Sequence, residues 1–181
     1  MKNNLSKLLR MGGYILYARH AEATVGEDHA VINFQNCFTQ RNLSEVGRKQ
    51  ARFYGEILRQ LRVPILYPIL TSPFCRTIET AQLAFNPSNI LTDPFLLDLY
   101  RLGGSLSERE QERILTHLRA VLEKEPSHRR NKVMVAHSFQ EGIGLGQLPN
   151  MGTVVVKPRG LGKGYEIVDL LTLADLKDLL I

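Results

Sequence analysis

The sequence predicts an α/β fold: a three-layer α/β/α sandwich with a mostly parallel central sheet and an antiparallel edge hairpin. Three observations predict it. Short apolar runs at residues 14–18, 65–70 and 133–136 read as buried strands. Apolar residues at helical spacing fill the intervals between them, and strands alternating with helices build a parallel sheet. Two late runs, at 153–156 and 165–170, flank Gly160-Leu161-Gly162-Lys163-Gly164 and read as a hairpin. At 181 residues, one domain spanning 1–181 is the default, and no repeat, linker or low-complexity segment interrupts it.

Taken in order, Gly12-Gly13 opens the first strand. Residues 21–42 are polar and irregular apart from Val31, Ile32 and Phe34, and connections this long often line sites. Ser44 is a good N-cap for a helix whose stripe is Ala51, Tyr54, Leu58 and Leu61 and which Pro64 stops. Pro68 weakens the middle of the second strand. Thr71-Ser72-Pro73 turns the chain into a helix carrying Arg76, Ile78, Ala81 and Ala84, ended by Asn86-Pro87. Ile90-Leu91 is a brief extended piece. Ser107 with Glu110 forms a capping box for a helix striped by Ile114, Leu118, Val121 and Leu122. Thr172 with Asp175 caps a last short helix.

Composition narrows the function classes. Apolar residues make up 44%, enough for a full core, and the net charge of +5 suits an anionic small molecule as well as nucleic acid. The one dense basic stretch, residues 128–132, reads as a solvated loop before a strand, so no nucleic-acid partner is expected. No apolar run is long enough for a transmembrane helix, and no membrane partner is expected. Lys2, Lys7 and Arg10 are not followed by the apolar region and cleavage site of a secretory signal, so a cytoplasmic location is expected. Cys37 and Cys75 belong to no Cys-x-x-Cys motif, and nothing in a domain of this size requires them to pair. His29, His117 and His128 read as surface residues.

The chemistry lies at the strand ends. Arg19 and His20 close the first strand, Arg76 follows the second, and His137 follows the strand at 133–136. In open α/β sheets ligands bind beyond the carboxyl ends of the strands, so these groups can converge there. Two guanidinium forks and two imidazoles fit a phosphoryl group, whose oxygens the planar forks clamp pairwise as Lys cannot. A neutral His20 nitrogen could attack phosphorus and carry the phosphoryl group covalently, and neighbouring cations favour that neutral form. Asp98 is the candidate proton donor to the leaving group, and could equally cap or turn the chain. Ser138 could add a hydroxyl to the pocket. Glu22 reads as orienting its loop by accepting backbone N–H bonds. Arg41 could hold a second anionic group of the substrate, or be a solvated loop arginine. Cys-x5-Arg chemistry is excluded, since Ala81 and Leu43 stand six residues after Cys75 and Cys37.

These motifs resemble those of the histidine phosphatase superfamily, the phosphoglycerate-mutase-like family. Its Arg-His-Gly-Glu stands here as Arg19-His20-Ala21-Glu22. Its Ser-Pro-x-x-Arg-x-x-x-Thr-Ala runs from Ser72 to Ala81, with Arg76 and Thr80 in place, and its Leu-Ser-x-x-Gly-x-x-Gln-Ala runs from Leu43 to Ala51. The second histidine is His137. The resemblance covers nearly the whole chain and implies that His20 accepts the phosphate, that Arg19, Arg76 and His137 hold it, and that no metal or other cofactor is needed. Ala21 and Ser138 replace glycines of the family, and Asp98 stands in for an acid that is often Glu.

The resemblance implies a metal-independent phosphatase acting on a small phosphorylated substrate, or on a phosphoprotein, through a phosphohistidine on His20. Residues 77–136 leave room for only a small lid, which favours water over a second substrate hydroxyl as acceptor. A phosphoglycerate-type mutase is the alternative within the family. A weakly catalytic module that binds phosphorylated ligands is the alternative outside catalysis, motivated by Ala21 and Ser138.

Overall fold

A computed structural model describes residues 2–181, apart from the side chains of Lys2, Asn3 and His128, so the expectation for His128 lies outside the described residues. The helices are α1 (Lys2–Met11), α2 (Glu45–Gln60), α3 (Cys75–Ala84), α4 (Phe95–Arg101), α5 (Glu108–Glu123) and α6 (Leu173–Asp178). The strands are β1 (Ile15–Arg19), β2 (Ile65–Thr71), β3 (Ile90–Thr92), β4 (Asn131–Ala136), β5 (Thr153–Pro158) and β6 (Tyr165–Leu171). They form one sheet in the order β3-β2-β4-β1-β5-β6. The first four strands in that order run parallel, and β5 is antiparallel to both β1 and β6. This is the expected mostly parallel sheet with a hairpin at one side.

Side chains alternate across a strand, and that alternation sorts the core into two layers. Leu16 and Ala18 of β1 and Val133 and Val135 of β4 face a cluster with α1, α2, α3 and α6. Ile15, Tyr17, Met134 and Ala136 face the opposite cluster, which α4 and α5 close with Leu96, Leu99, Leu118 and Leu122. Burial on both faces explains why β1 and β4 read as continuous apolar runs. Each Leu, Ile or Val removed from water here contributes about 1.5–3 kcal/mol.

The caps behave as the sequence suggests. The Ser44 hydroxyl accepts from Gly47 N at the start of α2, and reciprocal capping boxes open α5 (Ser107, Glu110) and α6 (Thr172, Asp175). Pro68 sits where the β2–β4 register slips between Leu66 and Leu70, a position that needs no ladder donor. Two helices go beyond the sequence reading. The first, α1, buries Leu5 and Leu9 against the sheet. The second, α4, has seven residues, too few to display a helical period in the sequence.

Gly47 is set by close approach. A Cβ there would lie 2.0 Å from the carbonyl oxygen of Glu22, which also accepts a bond from Ser44 N. Gly47→Ala must therefore push the first turn of α2 away from the strand-end loop. The expected cost is about 1–3 kcal/mol, as for other overpacking. Urea unfolding checks this, and an unchanged midpoint would contradict the contact.

Candidate active site

Because β1, β2 and β4 are parallel, their carboxyl ends share one edge of the sheet. Arg19 is the last residue of β1 and His20 follows it, with its amide donating to Ala136 O at 2.9 Å. Arg76 lies in the first turn of α3, just past β2. His137 follows β4 directly. The His20 and His137 rings meet edge to face with centroids 5.3 Å apart, and both residues are buried.

The bonds around each ring define its chemistry. His20 Nδ1 lies 2.6 Å from Ala21 O, and a carbonyl only accepts, so the ring proton is on Nδ1. Nε2 then carries the lone pair, as an in-line nucleophile requires. Ala21, the residue in place of glycine, is fully buried, and its amide donates to Thr80 Oγ1. His137 Nε2 lies 2.8 Å from Ser72 Oγ. A Ser72 hydroxyl that donates to Nε2 leaves the His137 proton on Nδ1, whereas one that donates to Thr77 Oγ1 accepts from Nε2–H and leaves the lone pair on Nδ1.

The two arginines are held at one edge each. Arg19 Nη1 donates to Leu148 O at 2.7 Å. Arg76 forms a fork-to-fork pair with Asp28, Nη1 to Oδ1 at 2.9 Å and Nη2 to Oδ2 at 3.1 Å. Its guanidinium carbon stands 4.3 Å from the centre of the Phe74 ring. The Nε of both arginines is buried and has no hydrogen-bond partner. Buried donors are nearly always satisfied, and these two guanidinium donors at one sheet edge are free to take an acceptor.

Electrostatics keep the imidazoles neutral. Burial, followed by the charges of Arg76, Arg19 and Arg41, pushes His20 down to about 3, against the pull of its Ala21 bond. Burial, then His20, Arg76 and Arg19, pushes His137 well below its ordinary value. In the unfolded chain both return to about 6.5. Between about 6.5 and 3 the unfolded state therefore binds more protons than the folded one, so stability rises with pH. It is fully present above about 6.5 and lost as pH falls, at up to about 1.4 kcal/mol per pH unit for each histidine. Melting temperature measured from pH 7.5 to 4.5 should fall on acidification, and His20→Asn should flatten the slope. A flat wild-type profile would contradict buried neutral imidazoles.

Other expected residues fall differently. The Ser138 hydroxyl donates to Phe139 O and accepts from Leu148 N at 2.8 Å, so it holds the turn whose carbonyl orients Arg19. The Glu22 carboxylate accepts the Ser44 hydroxyl at 2.7 Å, an orienting role reached through a side chain and not the expected backbone N–H. Arg41 donates from Nε to Thr24 O and from its amide to Asp28 Oδ1, and its charge reaches Arg19 and His20. His29 is exposed, and His117 is exposed while stacking on Phe95 with centroids 3.9 Å apart.

Asp98 pairs within its own helix. It lies in α4, where its carboxylate meets Arg101 at 3.5 Å, an ion pair within one turn of that helix. What α4 contributes is Tyr100, two residues on and so on the other side of a helix. Its ring centroid is 4.7 Å from His137, and its hydroxyl reaches Asp28 Oδ2 at 3.4 Å.

Cys37 and Cys75 form a disulfide, although chain length alone requires none. With Gln40 Oε1 accepting from Cys75 N at 2.9 Å, it fastens the 21–42 connection to the start of α3, next to Arg76.

Comparison with known proteins agrees with this fold. The model of the histidine phosphatase superfamily (branch 1) matches residues 15–141. The structure of the protein histidine phosphatase SixA complexed with tungstate aligns at 16% identity with a TM-score of 0.59, covering 90% of this chain and 99% of that one. A protein encoded by an open reading frame of Mycobacterium tuberculosis aligns at 18% identity and TM-score 0.59, covering 89% and 98%. A phosphoserine phosphatase from Entamoeba histolytica, in complex with 3-phosphoglyceric acid, aligns at 14% and 0.54, covering 90% and 98%. At these identities the likeness is one of fold. No functionally curated protein matches the sequence.

Proposed function

The chain belongs to the histidine phosphatase superfamily, branch 1, and on that premise we propose that it hydrolyses phosphomonoesters through a phosphohistidine on His20. One observation carries the reading: two buried guanidinium Nε donors stand unpaired beside an imidazole whose Nδ1 proton is committed to Ala21 O. In the first step the Nε2 lone pair of His20 forms a bond to phosphorus. The ester P–O bond breaks, and the alkoxide leaves with its electron pair and takes a proton from solvent water. Arg19, Arg76 and His137 hold the phosphoryl oxygens as charge redistributes, and preorganised donors of this kind lower a barrier by roughly 3–4 kcal/mol each. In the second step water attacks phosphorus, the N–P bond breaks, and phosphate and neutral His20 are regenerated.

The short connection from Arg76 to His137 supports water as acceptor, because α3, β3, α4, α5 and β4 take up most of it, and it brings Tyr100 of α4 against His137. The substrate we propose is a small phosphate ester, with a phosphoprotein as the other class the site could accept. No helix among the described residues is long and apolar enough to cross a membrane. For location, the disulfide argues for an oxidising compartment over the cytoplasm, where thiols are kept reduced.

The test is phosphate release in EDTA from sugar phosphates, phosphoamino acids and a phosphohistidine protein, with acid quenching to look for acid-labile phosphate on His20. Release with a trapped phosphoenzyme is expected. Isomer formation without net release would replace the phosphatase by a mutase. Tungstate binding with no turnover of any ester would leave only a binding module.

A further inference from the structure

We propose that Asp28 is a positioning residue that holds the Arg76 guanidinium by its end-on edge so that the side-on edge, Nε and Nη2, is presented to the phosphoryl group. The inference deepens the proposed phosphatase reading and rests on it. Arg76 is almost fully buried and stacked on Phe74, so its plane is fixed, but rotation about the side chain would still choose which edge faces the site. Asp28 makes that choice by binding Nη1 and Nη2 together. A guanidinium offers two forks of parallel donors. With the end-on fork occupied, the Nε–H and the outer Nη2–H remain as a second fork, and that Nε is the buried unpartnered donor.

Asp28 is itself fully engaged. Oδ1 accepts from Arg76 Nη1 and from Arg41 N at 2.8 Å, and Oδ2 accepts from Arg76 Nη2 and from the Tyr100 hydroxyl. Four donors on one carboxylate favour a fixed anion over a group that gives a proton to the leaving group. The loop carrying it is fastened to α3 by the Cys37–Cys75 disulfide and by Gln40, so Asp28 and Arg76 are held as one piece.

The test compares wild type, Asp28→Asn and Asp28→Glu on two esters, p-nitrophenyl phosphate and a simple alkyl phosphate, with tungstate as competitive inhibitor. Positioning predicts that Asp28→Asn weakens tungstate about 10- to 100-fold and lowers kcat/KM by a similar factor on both esters, with partial rescue by Asp28→Glu. Tighter tungstate binding in Asp28→Asn would make Asp28 a plug that phosphate displaces, and would overturn the inference. A loss of kcat confined to the alkyl ester would make Asp28 the proton donor, and would overturn it too. Nitrogen NMR of the arginine Nε–H groups in wild type needs no variant: the Arg76 resonance should shift on adding tungstate, and an unmoved resonance refutes a side-on fork. Wild type that neither binds tungstate nor hydrolyses either ester would sink the phosphatase reading itself. Wild type active with Asp28→Asn unaltered would sink only the role of Asp28.

Discussion

Replacing His20 with alanine is expected to lower phosphate release by roughly 10^4-fold or more, because the covalent route is then gone. The site is built so that the loss is chemical and not structural. The His20 ring makes one hydrogen bond, to Ala21 O, and the backbone bonds that pin this residue to β4 and to Met151 remain in the variant. Removing a buried neutral imidazole also removes the group that opposes folding at acid pH, so His20→Ala should lose less stability on acidification than wild type. Tungstate should still bind, since Arg19 and Arg76 keep their unpaired Nε donors. The decisive readout is the acid-labile phosphoenzyme: present in wild type after quenching, absent in the variant. A His20→Ala protein that released phosphate at the wild-type rate would mean that water attacks the ester directly, leaving the imidazole no covalent part.

Much of this arrangement was legible in the chain, and the limits of legibility have physical causes. The buried strands were readable because both faces are covered, which makes residues 15–18 of β1 and 133–136 of β4 unbroken apolar runs. His20, Arg76 and His137 were readable because parallel strands deliver their carboxyl ends to one edge, so position just after a strand is itself information. Asp28 was hidden because it sits in an irregular connection and its partner Arg76 is 48 residues away; no local spacing encodes such a pair. The disulfide was hidden for the same reason, with its cysteines 38 positions apart. A helix as short as α4 shows too little periodicity to tell which of its sides faces the site. The aromatic at position 100, and not the acid at 98, turned out to pack on His137.

Arg76→Lys should cost about 10^2- to 10^3-fold in kcat/KM, the loss seen when one preorganised donor to a developing charge is removed. The substitution keeps a positive charge, so it separates charge from geometry. A lysine ammonium is a point charge that cannot offer one fork to Asp28 and another to the phosphoryl oxygens. It would be drawn to Asp28, whose side chain is only 12% exposed and which would otherwise be left as a nearly buried, unpaired anion. Folding should therefore survive in the lysine variant. Arg76→Ala should instead lose about 3–5 kcal/mol of stability, as when one partner of a buried ion pair is removed. Arg19→Lys provides the comparison. Arg19 is held by a carbonyl, Leu148 O, and not by a carboxylate, so its replacement leaves no anion behind and should lower kcat/KM with little change in melting temperature. If Arg76→Lys retained full kcat/KM, charge alone would suffice at this position, and the fork geometry on which the Asp28–Arg76 arrangement depends would have no catalytic consequence.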